Sequence, residues 1–413
     1  MTKLRVATVI TRFNGGAGQV ALNGALALDP ESYERTIVTG GVGIDSKAGD
    51  AGGAGPGDDV LHGERAVAAA AAGDLTPRAH ANGMEIVQVR SLVPQISPRD
   101  DLAALRTLTR VLAEGGYDVV HTHSAKGGVI GRLAAARAGV PRIVHTWHGF
   151  PFHEFQSWPR RRTYIRMERM AAKHTDAFLA IGSETVTTAL RLGLASAERI
   201  RLSWPAVEVA AYTGGSSGRA QARRRLDLPL GVKVVGSIGR LTFQKGPEIF
   251  ARAIARLPED VFGLWAGGGP MAGDLDRLTR GLGLEGRMRW LGHRDDVADV
   301  LPAFDVMAMA SRWEGLPCVL VEAIGAGIPL VATAVPSNQD LVQAGETGLL
   351  VPPQDPAQLA GAIAYLLDDP ARARRMAEGA RERLGDRFSP EFLGGVLDET
   401  YRGVTRRPHH RAG

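Results

Sequence analysis

Short apolar runs, each closed by glycine or polar residues and followed by a stretch of helical length, recur along almost the whole chain. Val6–Thr11 (VATVIT) lacks the polar alternation of a half-exposed strand and reads as one buried on both faces. Arg35–Thr39, Ile86–Val89, Arg142–Thr146 and Phe178–Gly182 repeat it. The alternation restarts at Lys233–Ile238 (KVVGSI) and continues through Val261–Ala266, Arg287–Leu291, Phe304–Ala310, Pro329–Ala332 and Gly348–Val351. Strands separated by helical lengths cannot pair as hairpins. They need right-handed crossovers, and so a parallel sheet. Two such trains in 413 residues predict an α/β protein of two domains. Gly214–Gly218 (GGSSG) is the most linker-like composition in the chain. The expected division is therefore 1–212, 213–388, and a final helix with its tail over 389–413, opening at Pro390-Glu391-Phe392.

Composition narrows the class. A 44% hydrophobic and 23% charged chain is that of a globular protein, and its +5 net charge suits an anionic ligand or membrane face. Aromatics are too few to interleave with basic clusters as in a nucleic-acid binder. One cysteine, Cys318, excludes an internal disulfide and fits a reducing compartment. No apolar run reaches the roughly 20 residues of a membrane span. Met1-Thr2-Lys3-Leu4-Arg5 leads straight into a strand without a signal-peptide layout, so a cytoplasmic location is expected.

The densest chemistry lies in Ser311–Gly327 (SRWEGLPCVLVEAIGAG). A buried strand ends, the chain turns at Gly315, and a helix begins with Pro317 at its first position and ends at Gly325 and Gly327. Gly315 permits an unusual backbone angle. Free amides near Gly315 and Leu316, with the helix dipole, form an anion site. Glu314 and Glu322 bracket it with seven residues between them, and a carboxylate can accept two hydrogen bonds from a vicinal diol. Diols beside a phosphate site point to a nucleotide sugar. The bland alternative is a surface turn with two solvated acids.

Other strand ends carry candidates of their own. Gly239-Arg240-Leu241-Thr242-Phe243-Gln244-Lys245-Gly246 follows a strand and offers a planar guanidinium and a compact ammonium, flanked by glycines that permit close approach. Gly267-Gly268-Gly269 and Leu291-Gly292-His293-Arg294 follow two more and are expected near the nucleotide. In the first half, Arg12–Gln19 with Gly15-Gly16 makes a glycine turn, but no complete G-x-G-x-x-G exists in either half, which excludes a dinucleotide fingerprint. The glycine-rich tract Gly40–Gly57 lacks the phosphate-loop lysine pattern and reads as a mobile loop. His121, His123 and Lys126 lie in one strand end, His148 in the next. Zinc is not expected, since no Cys, Asp or Glu partner has ligand spacing. His121 reads as a structural histidine, and Asp274-Leu275-Asp276 as helix surface charge and not a metal site. Ser157–His174, dense in arginine, reads as a solvated basic helix or one that touches anionic lipid.

The order strand, Glu-Gly-Leu-Pro, helix, Glu, then Gly327–Thr333 (GIPLVAT), together with Gly-Arg-Leu…Lys-Gly at 239–246, resembles the family 4 retaining glycosyltransferases. That resemblance covers nearly the whole chain, most specifically its second half. It implies the GT-B architecture: two facing Rossmann-like domains that close over the donor, with a last helix crossing back to the first domain. By the same resemblance Arg240 and Lys245 hold a donor diphosphate, Glu314 the transferred sugar, Glu322 the ribose, and His148 the donor sugar. Gly16, Gly239, Gly268, Arg294, Gly315 and Leu316 would line the donor. His123 and Lys126 would lie on the acceptor side. The implied reaction is transfer from a nucleoside-diphosphate sugar, UDP by default, to an acceptor hydroxyl of a glycan, a lipid-linked glycan or a natural product. No cofactor and no essential metal are expected. A nucleotide-sugar epimerase and a non-catalytic sugar-nucleotide-binding subunit are the rival readings. The first would need an acid/base constellation, and the second the loss of one of Arg240, Lys245, Glu314 or Glu322, all of which are present.

Overall fold

A computed structural model describes residues 2–41, 59–68, 73–212, 215–229 and 231–403. Most of the glycine-rich tract expected as a loop (42–58), Thr213-Gly214 and the tail 404–413 lie outside the described residues. The chain divides into two compact units, one of Met1–Ala206 with Pro390–Gly413 and the other of Val207–Ser389.

Among the described residues, the first unit has eight strands: β1 Leu4–Ile10, β2 Tyr33–Gly40, β3 Val60–His62, β4 Glu85–Val89, β5 Val119–His123, β6 Arg142–Trp147, β7 Ala177–Ala180 and β8 Ile200–Leu202. Their order is β3-β4-β2-β1-β5-β6-β7-β8, parallel except where β3 pairs antiparallel with β4. The second unit has six strands, all parallel: β9 Lys233–Ile238, β10 Val261–Ala266, β11 Met288–Trp290, β12 Val306–Met309, β13 Leu330–Thr333 and β14 Leu349–Val351, in the order β11-β10-β9-β12-β13-β14. In each sheet the winding direction reverses once, between β1 and β5 and between β9 and β12. Crossover helices leave such a switch point on opposite faces, so a crevice opens at the carboxyl ends of those two strands. The motifs singled out above follow β9, β12, β5 and β6.

Central strands of the second unit are mostly apolar because both faces are covered: Val234, Val235 and Leu264, like Val306 to Met309, are almost wholly buried. Gly236 in β9 leaves room for the Phe304 ring, which a Cβ there would meet at 2.2 Å.

Three expectations are corrected. The residues expected as a linker, Gly214–Gly218, run into the helix Gly215–Arg225, and the units divide at Ala206/Val207 instead of 212/213. A run of good helix formers propagates there, and Asp305 pins its Arg223 at 2.6 Å and its Arg219. The second unit likewise ends at Ser389, one residue beyond the expected 388. The glycine turn after β1 is already the first turn of the helix Gly15–Ala27: Gly15 has φ +59°, and a Cβ on Gly18 would lie 2.9 Å from the Phe13 carbonyl carbon.

The last helix, Pro390–Gly403, returns to the first unit. Its Leu393, Leu397 and Tyr401 join Val6, Val119 and Val144 in one core cluster, and Gly394 lets its backbone lie against Ala27 of the first helix. The Tyr33 hydroxyl donates to Asp398 at 2.6 Å.

Candidate active site

In the second unit the loop after β9 and the turn after β12 are fastened together. Gly246, at φ +62°, sits so close to the end of β12 that a Cβ would lie 2.4 Å from the Ala310 oxygen, so this position needs glycine. The Arg312 amide donates to the Gln244 carbonyl at 2.7 Å, and the Gln244 side chain to the Trp313 carbonyl at 3.0 Å. Arg312 lies 3.8 Å over the Phe243 ring and pairs with Glu248. Lys245 is thereby delivered to Glu314, with Nζ 2.6 Å from Oε1. Ser311 Oγ donates to the same oxygen at 2.5 Å. The Lys245 stem runs against Gly239, where a Cβ would stand 3.4 Å from Cδ.

Arg240, at the mouth of this loop, is exposed and has no ion pair or hydrogen bond among the described residues. Lys245 and Glu314 therefore meet at the carboxyl ends of β9 and β12 as a partly buried ammonium on a buried carboxylate, and Arg240 is carried by the same loop, directly after β9. The helix that follows is Cys318–Gly325, with Pro317 as its cap (φ −80°, ψ 95°) and not at its first position. Gly315 does not use the freedom its type permits, having no positive φ, and the chain enters the helix through the extended ψ of Pro317. Leu316 is buried, and among the described residues the amides of Gly315 and Leu316 have no acceptor. One turn into the helix, burial raises the Glu322 carboxyl to about 7, partly offset by its hydrogen bond with the Tyr212 hydroxyl. Burial also pushes the Cys318 thiol up to about 12, so this cysteine is an inert thiol.

The glycines after β10 divide in role. Cβ atoms on Gly267 and Gly269 would lie 2.0 Å from the Gly239 oxygen and 2.5 Å from the Leu241 oxygen, so these two pack loop against loop. Gly268 alone leaves ordinary space, next to the His293 amide at 3.6 Å. Arg294, expected toward the donor, is committed to Asp296: its Nε donates at 2.7 Å and its second nitrogen also pairs with that carboxylate. Asp274 is exposed and paired with Arg277.

In the first unit, His121 donates and accepts to full capacity. Its Nδ1 lies 2.6 Å from the Tyr401 hydroxyl and its Nε2 2.7 Å from Thr146 Oγ1. It is structural. His123 Nδ1 lies 2.9 Å from His148 Nε2, so the neutral pair shares one proton between them. Burial lowers His121 to about 3 and His148 to about 4, and holds His123 and His145 well below the ordinary imidazole value. His148 Nδ1 is enclosed and has no partner among the described residues, an orphan that a ligand hydroxyl could satisfy. Ser124, directly after β5, holds φ +63° at the switch point, a strained value for a residue with a Cβ. Gly16 has nothing within 4 Å of a Cβ among the described residues. Lys126, expected toward an acceptor, instead pairs with Asp101 and donates to the Gln95 carbonyl.

The structure thus brings Lys245 to Glu314 and His123 to His148, and it ties Lys126 and Arg294 down elsewhere. Sequence reasoning missed Ser311, Arg312, Gln244 and Tyr212. Arg312 and Gln244 look like ordinary loop polars, and no spacing rule marks a residue whose work is to join two loops.

Two family models match the chain: the glycosyl transferase 4-like domain over residues 15–205, and the glycosyl transferases group 1 model over residues 218–383. A UDP-Gal:α-D-GlcNAc-diphosphoundecaprenol α-1,3-galactosyltransferase of Escherichia coli is 30% identical over 308 residues, 73% of this chain and 79% of that protein. A D-inositol 3-phosphate glycosyltransferase of Xylanimonas cellulosilytica is 33% identical over 314 residues, 72% and 74% respectively. Among solved structures, Anabaena HepE in complex with UDP and glucose aligns with a TM-score of 0.79 at 21% identity, covering 97% of this chain and all of that one. Sucrose-phosphate synthase from Thermosynechococcus elongatus aligns with a TM-score of 0.79 at 22% identity, covering 97% and 99%. At those identities the likeness is one of fold, and the fold they share is GT-B.

Proposed function

The chain belongs to the glycosyl transferase group 1 family and transfers sugar from a nucleotide sugar, and on that premise we propose that it is a retaining enzyme moving a hexosyl or N-acetylhexosaminyl group from a UDP-sugar to an acceptor hydroxyl. The observation that carries this reading is the contact of Lys245 with Glu314 at the β9/β12 switch point, with Arg240 on the same loop after β9. The UDP donor is supported by the name of the galactosyltransferase relative, which uses UDP-Gal. A cytoplasmic location, in peripheral contact with an anionic membrane, is proposed from the single cysteine and the basic helix; no helix among the described residues is long and apolar enough to cross a membrane.

In this reading the donor diphosphate lies against Arg240, Lys245 and the amides of Gly315 and Leu316. As the C1–O bond breaks, negative charge grows on the terminal phosphate. Fixed cations and amides stabilise that charge more in the transition state than in the ground state. The acceptor oxygen bonds to C1 on the face the phosphate leaves, and its proton passes to a phosphate oxygen. The Lys245–Glu314 pair divides between its ligands: the ammonium turns to phosphate, and the carboxylate accepts from the transferred sugar's hydroxyls. Glu322 accepts from the ribose; in the first unit, the orphan His148 Nδ1 takes up a ligand hydroxyl.

Lys245→Ala and Glu314→Ala test the assignment in steady-state transfer from UDP-galactose or UDP-glucose, with donors first ranked by thermal shift. Loss of one transition-state donor at Lys245 is expected to lower kcat on the order of 10²–10³-fold. Near-normal turnover in either variant contradicts the reading. NMR of the glycoside reports the anomeric configuration, and an inverted product rules out retention.

A further inference from the structure

The helix Trp158–Ala172 follows β6 in the first unit and separates its residues sharply by face. At 100° per residue, Trp158, Pro159, Arg160, Arg162, Thr163, Arg166, Met167, Arg169 and Met170 share a single arc, and all nine are exposed. The opposite arc carries the buried Glu168, Ala171 and Ala172. Glu168 is the helix's only acid, and it is consumed internally. Arg132 donates to it twice at 2.9 Å and Trp147 Nε1 once at 2.8 Å. The outward arc therefore presents four arginines with no acid among them.

Its apolar members make the arc amphipathic in an unusual sense. Trp158 is 66% exposed, Met167 41% and Met170 45%, and nearby Phe155 and Leu190 are exposed as well. The Arg162 guanidinium sits 5.0 Å over the Trp158 ring. Beneath the arc lies a concavity of about 450 Å³, lined in part by Trp158, Leu192, Arg161, Arg162, Arg166 and Arg169. Arg161 Nε is enclosed there and has no hydrogen-bond partner among the described residues. Arg169 is fixed by its two bonds to the Leu192 carbonyl, at 3.2 and 2.6 Å. A buried guanidinium N–H without an acceptor costs free energy unless an acceptor arrives from outside. Phosphate oxygens are the natural match for a guanidinium fork.

We infer that the outward face of Trp158–Ala172 is a membrane-docking surface, on which anionic phospholipid headgroups sit over the Arg161–Arg169 concavity while Trp158, Met167 and Met170 enter the headgroup boundary. This deepens the peripheral membrane contact proposed above by naming the surface and its ligand chemistry. Charge complementarity selects the partner. A second copy of the chain would bring the same arginines against these, and nucleic acid would satisfy the cations but leave the tryptophan and methionines without a hydrocarbon phase. The headgroup boundary suits a face of this mixture, since it offers phosphates to the arginines and hydrocarbon to the tryptophan and methionines. Each arginine near an anionic surface contributes about fivefold in partition.

The test is co-sedimentation of the full chain with vesicles of phosphatidylcholine alone and of phosphatidylcholine with phosphatidylglycerol. The wild type is expected on the anionic vesicles only, released by salt. Arg162→Gln/Arg166→Gln is expected to lower partition about 30-fold, and Trp158→Ala to lower it severalfold at unchanged salt dependence. Equal binding to neutral vesicles, or wild-type partition of the double arginine variant, overturns the inference. So does binding to a short DNA duplex as tight as to vesicles and indifferent to Trp158→Ala, which would make the face a nucleic-acid surface. Melting curves confirm that the variants are folded. Transfer to a soluble acceptor is measured on the same samples: lost vesicle binding with intact transfer isolates the docking surface, whereas absent transfer in the wild type speaks against the enzymatic reading alone.

Discussion

Lys245 and Glu314 stand 69 positions apart in the chain and 2.6 Å apart in space. Both contacts to the carboxylate, from Lys245 and from Ser311, fall on the single oxygen Oε1. The pair therefore holds the loop and the turn in register without consuming the carboxylate's remaining acceptor capacity. Glu322 is a different kind of acid. Burial lifts it from 4.5 to about 7. Between those values the folded protein keeps a proton that the unfolded chain has released, so this group's contribution to stability falls as pH rises through the window. Glu322→Gln does not titrate there. Its melting temperature relative to wild type is expected to climb from pH about 4.5 to about 7 and then level off. A difference that stays flat over that range, measured by thermal unfolding in matched buffers, would show that the carboxyl is not so buried.

At the scale of elements, the strand ends β5 and β6 and the last helix form one hydrogen-bonded unit through Tyr401, His121 and Thr146. The four lowered histidines act in the opposite sense to Glu322. Held neutral when folded, they take up protons on unfolding below about 6.5, so this layer weakens as pH falls. Tyr401→Phe keeps the ring but leaves a buried imidazole nitrogen without its partner. A loss of about 1–3 kcal/mol is expected, read as a lower denaturant midpoint at unchanged m. An unchanged midpoint would mean that His121 finds another partner. Much of this layer was legible beforehand. His121 read as structural because no Cys, Asp or Glu partner stands at ligand spacing, and the return of the helix from Pro390 to the first unit was placed by resemblance. Tyr401 was not, because a helix residue 280 positions from its partner leaves no local pattern.

At the scale of the whole molecule, the proposed chemistry rests on protein cations and amides at the donor phosphate, so turnover is expected to survive a chelator. Initial rates with excess EDTA should match those with magnesium within about twofold. Strict dependence on a divalent ion would require that a metal share the charge assigned to Arg240 and Lys245. Where the units divide was legible only approximately. The glycine-serine run around Gly214 has the composition of a linker, yet Asp305, 82 positions beyond Arg223, draws the following residues into a helix of the second unit.

Local order sufficed to specify the repeated strand-and-helix alternation, the parallel sheets and the motifs at the strand ends, because side-chain periodicity and glycine or proline punctuation act over a few residues. Partnership was decided only by the folded chain. Lys126 went to Asp101, Lys245 was brought onto Glu314 by Arg312 and Gln244, and Glu168 was spent inside, so that four arginines of its helix face outward with no acid among them. A charge's partner depends on which distant backbone it meets, and crossovers of tens of residues settle that.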